Sequence, residues 1–335
     1  MSRAAPNSWV KVTPSGLYVV PGDFTVDPLQ PVPRAVITHG HGDHARGGHD
    51  RVLATRETLD IMALRYGPAP QTQAAAYGET FTVGDVSLRF EPAGHILGSA
   101  QIVMEYRGSR IVVSGDYKRR ADPTCPPFIP VPCDVFITEA TFALPVFCHP
   151  PAVDEIDKLL HSLKVFPERT HLVGAYALGK TQRLIMLLRG KGYDRPIYLH
   201  GALIEMCKLY ERHGVSLGPL LPATGASPDA LKGQVVLCPP GDLKDRWSRR
   251  MHDPVIATAS GWMRIRQRAK QGGVELPLIV SDHADWEELL DTAREVQPGE
   301  VWITHGREEA LAHALTTMGI PAKPLSLTGY EDDAE

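Results

Sequence analysis

The chain has 335 residues, 43% of them apolar and 22% charged, enough to bury a sizeable core and suited to about two domains. This balance excludes a disordered chain and a disulfide-stapled miniprotein. No apolar run reaches the roughly 20 residues of a membrane helix and the first residues lack the apolar stretch of a secretory signal, so a cytoplasmic protein with no membrane partner is expected. The net charge of −4 by itself points to no polyanion.

Residues 16–20, 24–27, 34–39 and 51–55 read as short strands, followed by 81–94, 100–116 and 134–140, with turns between them. Residues 106–110 have the form of a hairpin turn. Texture changes after Pro150. Asp154 and Glu155 open an amphipathic helix. Strands at 170–177, 196–200, 234–238 and 254–260 then alternate with helices at 180–188 and 202–213, the pattern of a parallel α/β sheet. A strand at 278–281, a helix at 286–296, a strand at 301–305 and a helix at 308–318 complete the chain, before an acidic tail at 331–335. One core interrupted by an inserted domain fits this order.

Five cysteines (Cys125, Cys133, Cys148, Cys207 and Cys238) form no CxxC pair, which argues against a disulfide framework or a thiolate zinc site. Histidine is abundant, at fourteen, and four histidines lie between His39 and His49. The strand at 34–38 runs into His39-Gly40-His41-Gly42-Asp43-His44, an HxHxDH loop. Two imidazoles two residues apart can converge on one cation while Asp43 and His44 turn toward a second. The intervening glycines allow tight turns around the ions. His95, Asp116 and His305 each sit at a strand end beside glycine and supply the further ligands that a two-metal site needs.

Taken in order, residues 39–44, 93–100, 114–120, 138–142, 281–286 and 304–309 resemble the successive motifs of the metallo-β-lactamase superfamily. More narrowly they resemble its β-CASP nuclease branch, with the bacterial ligase-associated DNA exonucleases the most similar group. The resemblance runs from about residue 16 to residue 315. It implies an α/β fold, an αββα sandwich built from residues 1–146 and 278–335, with an α/β β-CASP domain inserted at 147–277. It also implies two divalent ions, zinc first and manganese as the alternative. His39, His41 and His95 would hold one; Asp43, His44 and His305 would hold the other, with Asp116 bridging. Asp27 resembles the outer acid that orients a ligand histidine. Glu139 and His283 resemble the branch's first and second motifs, with His283 donating a proton and Glu139 orienting it. Asp282 departs from the small residue expected before that histidine.

The chemistry so implied is phosphodiester hydrolysis by a water activated between two ions. The expected function is a DNA exonuclease acting in DNA repair, linked to an ATP-dependent DNA ligase and favouring DNA over RNA. An RNase of the same branch is the first alternative, and a small-molecule hydrolase such as a lactonase or thioesterase the second. A non-enzymatic nucleic-acid scaffold is a third, hard to square with a full ligand set.

Several cations have a possible place in substrate binding. Lys118 and Arg119 lie just after Asp116, with Tyr117 between, and could grip phosphates. Residues 174–181 fit the GxxxxGK(S/T) pattern of an ATP-binding loop, but Tyr176 and Leu178 make it bulky and the next strand offers no acid for magnesium. A nucleic-acid phosphate held by Lys180 and Arg183 is expected there instead. Residues 242–270 carry a net charge of +5, leaving −9 on the rest, the electrostatic footprint of a polyanion-binding face. Within it Trp262 could stack a base while Arg264 and Arg266 bind phosphates.

Overall fold

The computed structural model describes residues 3–325; the acidic tail at 331–335 lies outside them. The chain divides into two compact units, one formed by residues up to Phe147 together with those from His283 onward, the other by Cys148–Asp282.

The first unit contains two sheets. One has six strands in the order Val10–Thr13, Gly16–Val19, Phe24–Val26, Arg34–Val36, Arg51–Thr55 and Gln71–Ala75. The other has seven, in the order Ala322–Pro324, Glu300–Gly306, Val135–Ala140, Ser109–Val113, Ala100–Tyr106, Val86–Pro92 and Thr80–Val83. Their facing side chains alternate in and out along the strands, most plainly in Val86–Pro92, where every second residue is buried. Val19, Phe24, Val26 and Val36 from one sheet meet Leu88, Phe90, Ile102, Met104, Ile111 and Ile137 from the other in a single apolar core. The outer face of the seven-stranded sheet is covered by helices Trp286–Val296 and Glu308–Thr317, through Leu289, Ala293, Val296, Leu311 and Leu315. The outer face of the six-stranded sheet receives Leu59 and Met62 from helix Arg56–Tyr66. The layering is therefore helix, sheet, sheet, helix, the αββα sandwich.

Helix Arg56–Tyr66 is absent from the sequence reading, which has only strands and turns across this region. Its start is marked by Thr55, whose side chain accepts from the Thr58 N–H, and its buried residues Thr58, Leu59, Ile61 and Met62 lie on one face.

The second unit holds a six-stranded, all-parallel sheet in the order Leu220–Pro222, Ile197–Leu199, Val235–Cys238, His171–Gly174, Val255–Ala259 and Leu276–Leu278. Helix Ala152–Val165 leads into its first strand, and helices Lys180–Gly190 and Gly201–Arg212 connect later ones. The strand expected at 278–281 is Leu276–Leu278 instead, because its partner Val255–Ala259 ends there, Ala259 pairing with Leu278. The second unit accordingly runs to Asp282, five residues past the boundary read from the sequence. Among the described residues no helix is long and apolar enough to cross a membrane.

Candidate metal centre

Strand Arg34–Val36 ends just before the histidine-rich loop, and one carboxylate sets the loop's geometry. Asp27, buried and at a φ of +42°, follows strand Phe24–Val26. Its Oδ1 accepts from the Thr38 N–H at 2.8 Å. Its Oδ2 accepts from Thr38 Oγ1 at 2.6 Å and lies 2.8 Å from His44 Nδ1. A carboxylate that accepts there puts the His44 proton on Nδ1 and leaves the Nε2 lone pair for an ion. Thr38 passes the same constraint on. Its hydroxyl gives its hydrogen to Asp27, so at 3.0 Å it accepts from His39 Nδ1, and His39 Nε2 is left as an acceptor. That atom is buried without a hydrogen-bond partner, as a ligand nitrogen awaiting a cation would be.

Asp116 stands at the centre. It follows Gly115, whose φ is +56° and where a Cβ would lie 2.7 Å from the Thr38 side chain; only glycine lets these two strand ends approach so closely. Asp116 Oδ2 lies 3.3 Å from His39 Nε2 and 3.7 Å from His95 Nε2, while Oδ1 lies 3.4 Å from His44 Nε2. His95 Nε2 and His41 Nδ1 are 2.9 Å apart. Ligands of a tetrahedral ion with bonds near 2.0–2.1 Å are about 3.3 Å from one another, and the observed separations straddle that value. His95 is held by Ser99, whose hydroxyl accepts from the His95 N–H at 3.1 Å.

Donor atoms of His39, His41, His95 and Asp116 all lie within 4.8 Å of one another, as do those of Asp43, His44 and Asp116. His305 is outside these groups, but its ring stacks on His44 with centroids 4.9 Å apart. It ends strand Glu300–Gly306. The two clusters thus share Asp116, one facing each of its oxygens, and their nitrogen and oxygen donors suit a divalent ion.

Protonation favours this use. Burial pushes His39 well below the usual imidazole range and His305 down to about 3, so both imidazoles are neutral. For Asp116 burial pushes upward, but the charges of His44, His283 and His39 outweigh it and hold the carboxyl well below its ordinary value. Burial likewise opposes the charge on His44, and here Asp116 and Asp43 win, raising it. That proton would leave on binding a cation.

A third set of side chains adjoins. His283 Nδ1 lies 2.8 Å from Glu139 Oε2 and 4.0 Å from Asp116 Oδ2. Glu139 is buried in strand Val135–Ala140, and its Oε1 accepts from the Tyr117 N–H at 2.8 Å. Burial raises its pKa, against the opposing pull of His283.

The cations expected on phosphates behave differently. Lys118 is buried, with Nζ 3.4 Å from the His283 carbonyl. Arg119 donates to Thr292 Oγ1 and Glu295 Oε2 and lies over the Phe128 ring, so it fastens helix Trp286–Val296. In the second unit Lys180 and Arg183 are both buried. Lys180 donates to the Val280 carbonyl and pairs with Asp282 at 3.1 Å, and Arg183 donates to the Ser281 carbonyl and pairs with Asp282 at 3.2 Å. These four side chains anchor the fold instead of presenting charge to a phosphate, and Asp282 is the counter-ion of two of them. Trp262 is also buried, its ring covered by the Arg268 guanidinium at 3.9 Å, so it offers no stacking face. Arg264 and Arg266 are exposed. Thr38, Ser99 and Tyr117, which orient the site, went unnoticed in the sequence; the only signal was a hydroxyl or aromatic residue next to, or four residues from, a ligand.

No protein-family profile matches the chain. It is similar over 92% of its length, at 28% identity, to 30% of a probable DNA ligase of Opitutus terrae. It is 33% identical over half its length to 21% of an endoribonuclease of Gibberella zeae. It is 28% identical over 56% of its length to 51% of a ribonuclease of Thermus thermophilus. These relatives support placing the chain in the metallo-β-lactamase superfamily, in its β-CASP nuclease branch. It spans between about a fifth and a half of the length of these curated relatives. A crystal structure of a protein of unknown function from Enterococcus faecalis shares the fold, with a TM-score of 0.54 and 12% identity over 82% of this chain and 75% of that one.

Proposed function

We propose that this β-CASP protein is a metal-dependent phosphodiesterase acting on nucleic acid, and more narrowly a DNA exonuclease that works in repair alongside an ATP-dependent DNA ligase. The observation that carries the reading is Asp116, whose two oxygens face separate ligand clusters while the His283–Glu139 pair stands 4.0 Å from the same carboxylate. His39, His41 and His95 would hold one ion, Asp43, His44 and His305 the other, with Asp116 shared; zinc suits these donors best and manganese next. When bound, two such ions supply Lewis acidity and lower the pKa of a water toward neutrality. The protein's own side chains do the rest. Asp27 and Thr38 hold the imidazoles in their ligating tautomers. His283 gives the departing sugar oxygen its proton, and Glu139 fixes the ring and stabilises its charged form. In the second unit, the exposed Arg264 and Arg266 are the side chains offered to nucleic-acid phosphates.

The DNA preference is supported by the relative that aligns over 92% of the chain, which is named as a probable DNA ligase. The ribonuclease relatives align over 50% and 56% of it and support RNA as a second reading. End-labelled DNA and RNA single strands of matched sequence, labelled at either end and digested by zinc- or manganese-loaded protein, decide between them. Faster RNA turnover replaces the DNA reading. Cleavage of a chromogenic lactam or ester with neither nucleic acid touched refutes both.

A further inference from the structure

The sequence places three cations just after Asp116 and Tyr117, an arrangement that invites a phosphate-binding role, but their hydrogen bonds run inward. We infer that Lys118 is a positioning residue for His283, an inference that rests on the nuclease reading above. His283 lies in a stretch without regular structure, between strand Leu276–Leu278 and helix Trp286–Val296. No ladder or helix fixes its backbone, so other groups must. Residues 117–120 provide them. Lys118 is 3% exposed and its Nζ lies 3.4 Å from the His283 carbonyl. The next peptide is held as well, the Ala284 N–H donating to the Tyr117 carbonyl at 2.7 Å. Arg120 donates to Asp285 Oδ2 at 2.8 Å and pairs with Glu288 at 2.9 Å. The Tyr117 N–H reaches Glu139 Oε1, whose other oxygen holds the His283 ring.

Lys118 is also tied to the ligands. Its own N–H donates to the Ala93 carbonyl at 3.1 Å, two residues before His95. One lysine therefore bonds the turn that carries a metal ligand through its backbone and the residue that delivers the proton through its ammonium. A buried ammonium is costly unless bonded, and this one lies against the His283 carbonyl. Misplacing a catalytic group by about 1 Å can cost on the order of 10²-fold in rate, which is the scale on which the lysine acts.

The test uses the difference between leaving groups. A DNA strand departs as an alkoxide that needs a proton, whereas a p-nitrophenyl ester of thymidine monophosphate departs as a phenolate that does not. Lys118→Met keeps the length of the side chain and removes the donor. On single-stranded DNA its kcat is expected to fall by roughly 30–100-fold with KM within about two-fold, while kcat on the p-nitrophenyl ester stays within about three-fold and bound metal is unchanged. His283→Ala should show the same split. Arg120→Gln, at a more exposed position, should show it in weaker form and serves where Lys118→Met does not fold. A raised KM at unchanged kcat, with a shallower salt dependence of DNA binding, would make Lys118 a phosphate contact and overturn the inference. Equal losses on both esters in both variants would overturn it too. A wild-type protein inert on both esters would refute the nuclease reading itself.

Discussion

Asp27→Asn tests the ligand-orienting network at its source. The carboxylate accepts from the Thr38 N–H, the Thr38 hydroxyl and His44 Nδ1. An amide has one oxygen and one NH2, so whichever way it turns, its NH2 faces a donor. If the NH2 meets His44, the imidazole must accept at Nδ1, its proton moves to Nε2, and the lone pair facing Asp116 is lost. If it meets the Thr38 N–H, that buried donor loses its partner and the loop shifts. A hydrogen bond to a charged group is worth about 1.5–3 kcal/mol, and outer-shell substitutions cost roughly 10–100-fold in metal affinity. Because Asp27 reaches His44 directly and His39 through Thr38, the expected loss is at the upper end, about 100-fold, or close to 3 kcal/mol. Competition for zinc between the protein and a chromophoric chelator, at fixed pH, measures it. An affinity within about two-fold of wild type would show that Asp27 does not control the ligands and refute the reasoning.

Three further outcomes are expected. Asp116→Ala should lose turnover by about 10³-fold or more while far-ultraviolet circular dichroism keeps its wild-type form; full activity would contradict the shared-ligand role. Lys180→Met leaves Asp282 with one fewer buried partner and should cost about 3 kcal/mol in urea unfolding with KM for DNA unchanged, whereas a raised KM in a protein of wild-type stability would restore the phosphate role. Metal-free protein should lose stability as pH falls below 6.5, because unfolded His305 takes up a proton there and the folded residue does so only near 3. The sign follows from the unfolded state binding more protons in that window, and the His305 contribution lost between pH 6.5 and 5 is about 2 kcal/mol. Urea midpoints at the two pH values should draw closer in His305→Asn; an unchanged gap counts against this account.

How far the sequence speaks differs from residue to residue. The HxHxDH loop is legible because its four ligand-type side chains fall within six consecutive residues and no packing role explains them. His95, Asp116 and His305 are legible only as strand ends next to glycine, and Gly306 shows why that neighbour matters: a Cβ there would lie 2.3 Å from the Ala140 carbonyl. Lys118, Arg119, Lys180 and Arg183 turn inward where phosphate contacts are expected, for one physical reason. Lysine and arginine side chains are long, and the letters do not say whether the charged end reaches solvent or an interior carboxylate. Asp282, the residue that looked out of place, was the clue to Lys180 and Arg183. The strand at 276–278 was placed late because an apolar run says nothing about where its partner strand stops. Helix Arg56–Tyr66 was missed because its apolar stripe is short and flanked by strands, leaving Thr55 as its plainest signal.

The sharing of Asp116 among ligands drawn from both ends of the chain bears on the order of biosynthesis. His44 and His305 are separated by 261 positions in the chain, and at about 5–20 residues per second the first leaves the ribosome roughly 13–50 s before the second. Throughout that interval the nascent polypeptide carries an unfinished cation trap, since strand Glu300–Gly306 cannot enter its sheet until it has been made. On the proposed two-ion reading, a wrong ion captured then would be enclosed when strand Glu300–Gly306 docks, and metal fidelity would depend on timing as well as on ligand chemistry.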